Sequence, residues 1–266
     1  MKQLLLVFLF AIFTMPAVSQ ELTIPVKLLS NSKAGPERFI GTDAFGWKYT
    51  TLENEFRKEK DGRTLKYKNV ALGEIYRVDL QNPLQIVLFY RKFNTVVLLD
   101  NQLNETSQFN FSTLPEQELI VEAAGLASQN RLWLYDVTTQ QIGLYDTARG
   151  IFRTLTPPFN DGIKYYQSDY NYFYWIDTTG KYFAVNLFGN VSFLGNIPQY
   201  DGVQLLSSTE VLISSGNALY LYNLAKQSTQ KIEIVEKTLT GFYYKDQILS
   251  IFTNNEIIQY KITLSK

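Results

Sequence analysis

The sequence predicts an all-β protein built from repeated four-stranded units, with little helix. Short runs rich in Val, Ile, Leu, Tyr and Phe recur between turn residues, as in Arg131–Tyr135, Tyr172–Ile176 and Ala218–Tyr222. No long stretch shows the 3.6-residue periodicity of a helix. Apolar residues make up 45% of the chain and aromatic residues 15%, which is enough to fill a core.

The first residues have the three-part pattern of a secretory signal peptide. Lys2 gives a positive start, Leu4–Phe13 is an unbroken apolar run, and Ala17–Ser19 supplies the small residues of a cleavage site. The apolar run is too short to span a bilayer, which takes roughly 20 residues. We therefore predict a signal peptide at 1–19, rather than an uncleaved anchor, and one exported domain at 20–266 that is not an integral membrane protein.

The chain has 25 basic and 25 acidic side chains and contains no histidine and no cysteine. The two absences exclude disulfides, a thiolate nucleophile, an imidazole base, and zinc or haem sites with Cys or His ligands. The balanced charge gives no electrostatic footprint for nucleic acid, so we predict no nucleic-acid partner. An exported protein without disulfides depends on its core alone, which favours a bacterial periplasm or cell surface over a eukaryotic exterior.

A repeat of about 40 residues runs through the mature chain. An apolar strand that ends at a polar turn residue occurs five times, in steps of 46, 40, 37 and 38 residues, at Asp100, Asp146, Asn186, Asn223 and Lys261. Asp and Asn suit tight connections because they tolerate turn dihedrals and bond their own backbone. A period of this length with four short strands is the dimension of a β-propeller blade.

The repeat divides the mature chain into six four-stranded blades, with five or seven as alternatives because the first unit is irregular. The six units are residues 38–70, 72–113, 118–158, 159–198, 199–236 and 238–264. The charge-dense segment Glu53–Arg63 in the first unit is predicted to be a hairpin or loop. The sixth unit has room for three strands, so we expect Leu22–Leu29 to supply its outer strand and close the ring.

This layout resembles that of secreted bacterial β-propeller proteins, and the resemblance covers nearly all of the mature chain. The exported, cysteine-free and Tyr- and Asn-rich character is also similar to that of many exported propellers of the Bacteroidota. The resemblance rests on repeat spacing and strand pattern, which specify an architecture but no activity. The chain has neither the Trp-docking motif of quinoprotein-type repeats nor the Trp-Asp ending of WD40 repeats.

The polar turns that follow the second strand of each blade are the first candidates for a binding surface. Equivalent turns of successive blades share one rim of the ring, and ligands of propellers commonly lie on that rim around the central channel. The predicted binding residues are Arg91, Lys92, Asn94, Gln140, Lys181, Asn217, Asn254 and Asn255. Ordinary hairpin chemistry is the alternative explanation for these polar side chains.

Two further features have competing explanations. Aromatic rings in Tyr165–Trp175 could stack on sugars, but the alternation of their side chains favours packing between blades. Thr147 and Thr178 follow Asp residues in a pattern that resembles the short O-glycosylation signal of exported Bacteroidota proteins. Both threonines also fall at predicted turns, where Asp-Thr is common in any case.

These features together predict a non-catalytic exported binding or scaffold propeller, monomeric or part of a complex, whose partner is a cell-envelope protein or glycan. No G-x-S-x-G, P-loop, G-x-G-x-x-G or EF-hand motif is present, so we predict no catalytic residue, no metal site and no cofactor. One alternative is a metal-assisted hydrolase or lactonase with oxygen ligands at the channel mouth. Its candidate ligands, linked by no motif, are Asp43, Asp79, Asp169, Asn171 and Asp246. The other alternative is a carbohydrate-binding propeller.

Overall fold

Antiparallel hairpins of short strands are the local unit of the structure. The computed structural model describes residues 23–114, 118–236 and 238–264, and within these ranges the strands form six separate sheets. The predicted all-β, six-bladed propeller is confirmed, with four strands in each blade. The only helices in the described ranges are two 3-10 turns, Arg91–Phe93 and Phe111–Thr113.

Two strands, β1 (Thr23–Ile24) and β2 (Lys27–Lys33), precede the first blade. Blade one contains β3 (Arg38–Thr42), β4 (Lys48–Leu52), β5 (Glu55–Lys60) and β6 (Arg63–Lys68). Blade two contains β7 (Arg77–Asp79), β8 (Ile86–Tyr90), β9 (Thr95–Leu99) and β10 (Glu105–Asn110). Blade three contains β11 (Val121–Ala127), β12 (Arg131–Asp136), β13 (Gln141–Asp146) and β14 (Ile151–Thr154).

The remaining strands follow the same order. Blade four contains β15 (Ile163–Ser168), β16 (Tyr172–Asp177), β17 (Lys181–Asn186) and β18 (Val191–Asn196). Blade five contains β19 (Gly202–Leu205), β20 (Glu210–Ser215), β21 (Ala218–Asn223) and β22 (Ser228–Ile232). Blade six contains β23 (Gly241–Lys245), β24 (Ile248–Phe252) and β25 (Glu256–Lys261), and β2 is its fourth strand.

The first strand of each blade lies at the centre of the ring, where neighbouring blades meet through pairs such as β11 with β15 and β19 with β23. Because the strands are antiparallel, successive turns alternate between the two faces of the disc. We call the face that carries the first-to-second turns, such as 169–171, the 1–2 face. The opposite face carries the second-to-third turns, such as 91–94, and is called the 2–3 face.

The two chain ends close the ring in blade six, as predicted, but the closing strand is not Leu22–Leu29. Instead β2 pairs antiparallel with β25, from Lys27 opposite Lys261 to Lys33 opposite Glu256. The short β1 pairs in parallel with β22 of blade five. Pro25 lies between the two strands and has no N–H to donate to a ladder, so the chain pairs with a different blade on each side of it.

Blade one is regular, contrary to the irregular unit that the sequence suggested. The charge-dense segment forms the hairpin of β5 and β6, which turns at Asp61-Gly62 with positive φ at both residues. Lys58 of this hairpin is buried, donates from Nζ to the Asn101 carbonyl at 2.5 Å, and lies 4.3 Å from the Trp47 ring centroid. Desolvation by burial lowers the pKa of Lys58 below its usual value. A charged segment thus anchors blade one to blade two.

The aromatic stretch of blade four packs into the core on both faces of β16, because half-buried Tyr174 packs against the cluster that contains Ile176 and Tyr182. Phe173 and Trp175 are buried, as predicted, and Trp175 stacks on both Phe159 and Phe183 with centroids 5.4 and 5.2 Å away. Tyr170 and Tyr172 remain exposed on the 1–2 face. Packing between blades is therefore confirmed for Phe173, Tyr174 and Trp175, whereas Tyr170 and Tyr172 do not take part in it.

The polar residues of the 40-residue repeat close the third-to-fourth turns. Asp146 Oδ1 accepts from the backbone N–H groups of Ala148 and Arg149, both at 3.0 Å. Asn186 Oδ1 accepts in the same way from Phe188 and Asn190. Each side chain thus replaces a backbone acceptor and fixes the turn, which explains why the spacing appears in the sequence.

The predicted signal peptide, residues 1–19, lies outside the described residues. Within the ranges that the structure describes, no helix is both long enough and apolar enough to cross a membrane.

Candidate functional site

A cavity of about 470 Å³ occupies the centre of the ring. All six innermost strands contribute to its wall, whose polar side chains include Arg77, Asp79, Gln81, Gln167, Ser168, Asp169, Gln204, Tyr243 and Lys245. Most of these residues lie in the carboxyl-terminal halves of the innermost strands or in the turns that follow. The cavity therefore opens toward the 1–2 face.

Two glutamines on this wall join neighbouring blades. Gln167 of blade four donates from Nε2 to the Leu205 carbonyl of blade five at 3.3 Å. Gln204 of blade five donates to the Tyr244 carbonyl of blade six at 2.6 Å and accepts from the Tyr244 N–H at 2.8 Å. The amides substitute for backbone groups between sheets that share no ladder.

Charged side chains make the same kind of contact at other blade boundaries. Lys245 of blade six donates from Nζ to the Thr42 carbonyl of blade one at 2.6 Å. Asp79 of blade two accepts at Oδ2 from the Leu126 N–H of blade three at 2.8 Å. The polar wall of the channel is thus bonded into the backbone of the ring.

Blade two also reaches past blade three to blade four. Arg77 donates from Nη2 to the Tyr166 carbonyl at 2.5 Å, and its guanidinium lies 4.0 Å from the Tyr166 ring centroid. With its amide oriented to satisfy both contacts, Gln81 donates to the Ser168 carbonyl at 3.0 Å and accepts from the Tyr170 N–H at 2.8 Å. Gly125 of blade three permits this approach, because a Cβ there would lie 2.0 Å from Ser168 Oγ.

Burial shifts the pKa of two groups on the innermost strands, Asp79 and Tyr166. Desolvation raises the pKa of Asp79 above its usual value, against the opposing effects of the Leu126 and Gln81 N–H groups and of Arg77. Desolvation also raises the pKa of Tyr166 to about 12. Tyr166 accepts at its hydroxyl from the Ala124 N–H at 3.2 Å and donates to the Ala124 carbonyl at 3.3 Å, so it too joins two blades.

Most of the candidate metal ligands are turn residues, and two of them accept hydrogen bonds within their own turns. Across the ranges that the structure describes, no group of three or more Asp or Glu side chains stands close enough to hold a metal ion. Of the five candidates, only Asp79 and Asp169 line the central cavity, and Asn171 and Asp246 are exposed in turns outside it. Buried Asp43 accepts from the Phe45 N–H, the Trp47 N–H and the Tyr49 hydroxyl, while Asp169 accepts from the two N–H groups of its own turn.

The eight predicted binding residues lie on the 2–3 face, and none of them lines the central cavity. Asn94 is committed to internal contacts, since it donates to the Leu119 carbonyl at 2.5 Å and accepts from the Val121 N–H at 2.9 Å. Exposed Lys92 lies 3.6 Å from Glu74, and Lys181 lies 4.0 Å from Asp161.

Gln140, Asn217 and Asn255 hydrogen-bond to other segments of the chain from their turns. Gln140 has a φ of 56° and its carbonyl accepts from the Phe159 N–H at 3.1 Å. Asn217 accepts from the Leu239 N–H at 3.2 Å, and the Asn255 carbonyl accepts from the Ala34 N–H at 2.8 Å. The side chains of Asn217, Asn254 and Asn255 are exposed. Whether any of the eight contacts a ligand stays a prediction.

The two threonines of the O-glycosylation hypothesis differ in accessibility. Thr178 is exposed in a turn of the 2–3 face. Thr147 is half-buried in a third-to-fourth turn, and its hydroxyl donates to the Asn130 carbonyl at 2.6 Å. Modification of Thr147 would have to break that bond, so Thr178 is the more accessible of the two predicted sites.

A group of exposed apolar side chains lies on the 2–3 face of blades two and three. We call it the rim patch, and its members are Tyr76, Arg91, Phe93, Ile120 and Val137. The four apolar members are between 38% and 52% exposed. Asn94 fixes the backbone on both sides of Ile120, because it hydrogen-bonds to Leu119 and Val121.

Arg91 is the cationic member of the rim patch. Its guanidinium lies 4.1 Å from the Tyr76 ring centroid, and Nη1 donates to the Tyr76 hydroxyl at 3.3 Å. The same Nη1 lies 3.7 Å from a Glu122 carboxylate oxygen. The sequence indicated Arg91 as a binding residue but gave no indication for Tyr76 or Ile120. An apolar residue next to a strand is expected to be buried unless the packing of the blades is known.

The fold defines the class of the protein, a six-bladed β-propeller. Among solved structures it is similar to virginiamycin B lyase from Staphylococcus aureus, with 10% identity and a TM-score of 0.59 over 92% of this chain and 97% of that one. The β-propeller domain of Cps50 (Swd1) from Myceliophteria thermophila gives 10% identity and a TM-score of 0.61 over 90% and 100%. A streptogramin B lyase gives 13% and 0.53 over 91% and 98%.

Identities this low establish the shared fold alone. No protein-family model matches the sequence, and no curated protein matches it.

Proposed function

We propose that this chain is an exported, non-catalytic propeller that binds another protein through the rim patch. The observation that carries the proposal is the stacked pair of Arg91 and Tyr76 among exposed Phe93, Ile120 and Val137. Tyr and Arg are enriched among the few residues that dominate binding energy in protein interfaces, and surrounding apolar contacts keep water from them. An exposed cluster of this composition on one face is typical of an interaction site.

The composition of the rim patch favours a protein over a glycan. Sugars are recognised by flat rings together with side chains that can hydrogen-bond their hydroxyls. Ile120 and Val137 offer neither a ring nor a polar atom, and they widen the apolar part of the surface. They suit the apolar side chains of a protein partner.

The hydrogen bonds of the polar side chains in the channel favour a binding protein over an enzyme. A general acid or base has to reach a substrate proton directly or through one water. Gln167, Gln204, Asp79 and Lys245 are all hydrogen-bonded to the backbone of a neighbouring blade. Their geometry supports a role in holding the ring together. A hydrolase or lactonase would need some of these groups to be released.

Export and the location of the partner are parts of the same proposal. The signal-peptide pattern at 1–19 and the absence of cysteine support a bacterial periplasm or cell surface. The partner we expect is therefore a protein of the cell envelope.

Affinity capture from a cell-envelope extract tests this proposal. The purified protein would be compared with Arg91→Ala and Phe93→Ala, and with Phe45→Ala as the control, because Phe45 is an exposed aromatic residue on the 1–2 face. We expect one protein to be captured by the wild type and by Phe45→Ala, and its affinity for each rim variant to fall at least about tenfold, or ~1.4 kcal/mol. Equal capture by all four proteins would contradict the proposal.

Glycan binding on the opposite face is a second candidate. Exposed Tyr170 lies in the turn that begins with Asp169, which lines the central cavity, and exposed Tyr172 follows as the first residue of β16. The ring of Tyr172 stacks on Tyr174 with centroids 5.7 Å apart, so it is held in place as a platform. Binding of an envelope polysaccharide that is lost in Tyr172→Ala and kept in Tyr76→Ala would favour this candidate. The opposite result would exclude it.

A further inference from the structure

The outer strand of blade four lacks the charged side chains that the other outer strands carry, although its ladder with β17 has one β-bulge, at Tyr182–Phe183. β18 reads Val-Ser-Phe-Leu-Gly-Asn and contains no charged residue. Among the described strands, β22 pairs with β1 at Lys231 and Ile232 only, and it carries the charge of Lys231. Every other outer strand longer than two residues carries a charge, as shown by Lys27 and Lys33 in β2, Lys66 in β6, Glu105 in β10 and Arg153 in β14. Charged side chains are the usual means of preventing an edge strand from pairing with another chain.

The side chains of β18 are also unusually apolar for an exposed edge. Phe193 is 56% exposed, Val191 is exposed beside it, and Phe188 in the preceding turn is 87% exposed. Phe193 and Val191 are two residues apart and therefore lie on the same face of the sheet. Apolar exposure is thus concentrated on this edge.

The backbone of β18 has hydrogen-bonding groups that point outward. Asn186 of β17 donates to the Asn190 carbonyl at 3.2 Å, which makes Asn186–Asn190 a hydrogen-bonded pair. Ala184 opposite Ser192 is then the next such pair, because hydrogen-bonded and non-bonded pairs alternate in an antiparallel ladder. The N–H and C=O groups of Val191 and Phe193 therefore face the open edge, where an added strand could bind them.

An apolar cavity of about 280 Å³ adjoins this edge between blades three and four. Its wall includes Pro157, Phe159, Trp175, Phe183 and Val191. Phe193 packs on Phe183 of that wall with ring centroids 5.4 Å apart. The cavity, Val191 and Phe193 form one continuous apolar surface.

We propose that two copies of this chain associate through antiparallel pairing of β18 with β18, with a two-fold axis at Ser192. Val191 of each copy then lies opposite Phe193 of the other, and the outward backbone groups of both residues are satisfied. Pairs of an aromatic with a β-branched residue stabilise antiparallel sheets, and so do serine pairs. Phe193 of the second copy lies next to the cavity that Val191 lines.

The neutrality of β18 is the reason to choose a second copy as the occupant. A two-fold axis sets each side chain near its own equivalent, so a strand with lysines would bring like charges together. Self-pairing of the other exposed outer strands would bring like charges together, whereas self-pairing of β18 would not. This interface lies on blade four, away from the rim patch on blades two and three, so it is independent of the proposed function.

Analytical ultracentrifugation of the purified protein tests the self-pairing. We expect the wild type to sediment with twice the mass of one chain at tens of micromolar, and to dissociate on dilution because the paired surface is small. Ser192→Lys should be monomeric, since it places two lysines at the axis, and Ser192→Glu should be monomeric for the same reason. An equimolar mixture of the two variants should recover the dimer. Gln108→Lys, on the exposed outer strand β10, is the matched control and should remain dimeric.

Three results would overturn the proposal. A wild type that stays monomeric at ~100 µM would show that a second copy does not pair with β18. The edge would then bind an extended segment of another protein or remain unpaired. A dimer that persists in both Ser192 variants would place the interface elsewhere. Variants that are monomeric alone and remain so when mixed would exclude the two-fold axis at Ser192.

Discussion

Gln204 hydrogen-bonds both backbone groups of Tyr244, donating to its carbonyl at 2.6 Å and accepting from its N–H at 2.8 Å. One side chain of blade five thereby completes the inner edge of blade six. The same type of bond recurs from Gln167 to Leu205 and from Lys245 to Thr42. The ring is held at its centre by side-chain to backbone bonds, in addition to the apolar packing between blades.

The first prediction concerns this central bond. Gln204→Ala removes both contacts and leaves the N–H and C=O of half-buried Tyr244 without partners. An unsatisfied polar group of this kind costs about 1–3 kcal/mol. We expect the free energy of unfolding, measured by urea denaturation, to fall by an amount in that range.

Gln108→Ala is the matched control, because Gln108 is an exposed glutamine on the outer strand β10. Its effect on the free energy of unfolding should stay within about 0.5 kcal/mol. Equal effects at the two positions would show that the bonds at the centre are not important for stability.

The second prediction concerns Gly143 in β13, which lies opposite Thr154 of β14. A Cβ at Gly143 would lie 2.4 Å from the Arg153 carbonyl oxygen and 2.6 Å from the Phe152 ring. Gly143→Ala should therefore destabilise the protein by about 1–3 kcal/mol, as overpacked sites do. Gly241→Ala is the control, since its nearest atom would be 3.6 Å away in ordinary contact. Thermal unfolding that is unchanged for Gly143→Ala would contradict this packing.

The third prediction tests the closure of the ring. Ser30 of β2 pairs with Gln259 of β25, and Ser30 Oγ donates to Gln259 Oε1 at 3.0 Å. Cysteines at both positions should form a disulfide, because the Cα atoms of paired residues lie at bridging distance. The natural chain has no cysteine that could form a competing disulfide. A disulfide that closes a long loop stabilises the folded protein by up to about 5 kcal/mol, because it constrains the unfolded chain. We expect a raised melting temperature when oxidised and a return toward the wild-type value when reduced.

The fourth prediction concerns pH. Burial raises the pKa of Tyr166 to about 12, whereas an unfolded tyrosine ionises near pH ~10. Between these values the unfolded chain binds fewer protons than the folded one, so stability is fully present below pH ~10 and is lost as pH rises toward ~12. Tyr166→Phe should make the free energy of unfolding depend less steeply on pH in this window. A pH dependence that is unchanged in Tyr166→Phe would contradict this account.

The architecture could be predicted because its signals are local. Asp146 and Asn186 close their turns with their own backbone, so the repeat is visible as a spacing of polar residues after apolar strands. The closing strand was misplaced because two-residue alternation gives no information on which strand it will pair with. Pro25 was the local sign that the segment Leu22–Leu29 could not be one continuous strand.

The candidate sites were less predictable because they depend on contacts between distant residues. Arg77 and Gln81 reach from blade two to blade four, 80 residues or more along the chain. One sign was available for the channel, since Gln167, Gln204 and Lys245 recur near the ends of innermost strands at intervals close to the repeat. No such sign exists for Tyr76 or Ile120, whose exposure follows from the packing of whole blades.

Photo-crosslinking from position 93 tests the central claim, protein binding through the rim patch, most directly. A photoreactive amino acid would replace Phe93 in one variant and Phe45 in the other, and each would be irradiated in a cell-envelope extract. We predict one discrete protein adduct from position 93, reduced by Arg91→Ala, and no such adduct from position 45. The same adducts from both positions, or an adduct from position 45 alone, would contradict a binding site on the rim patch.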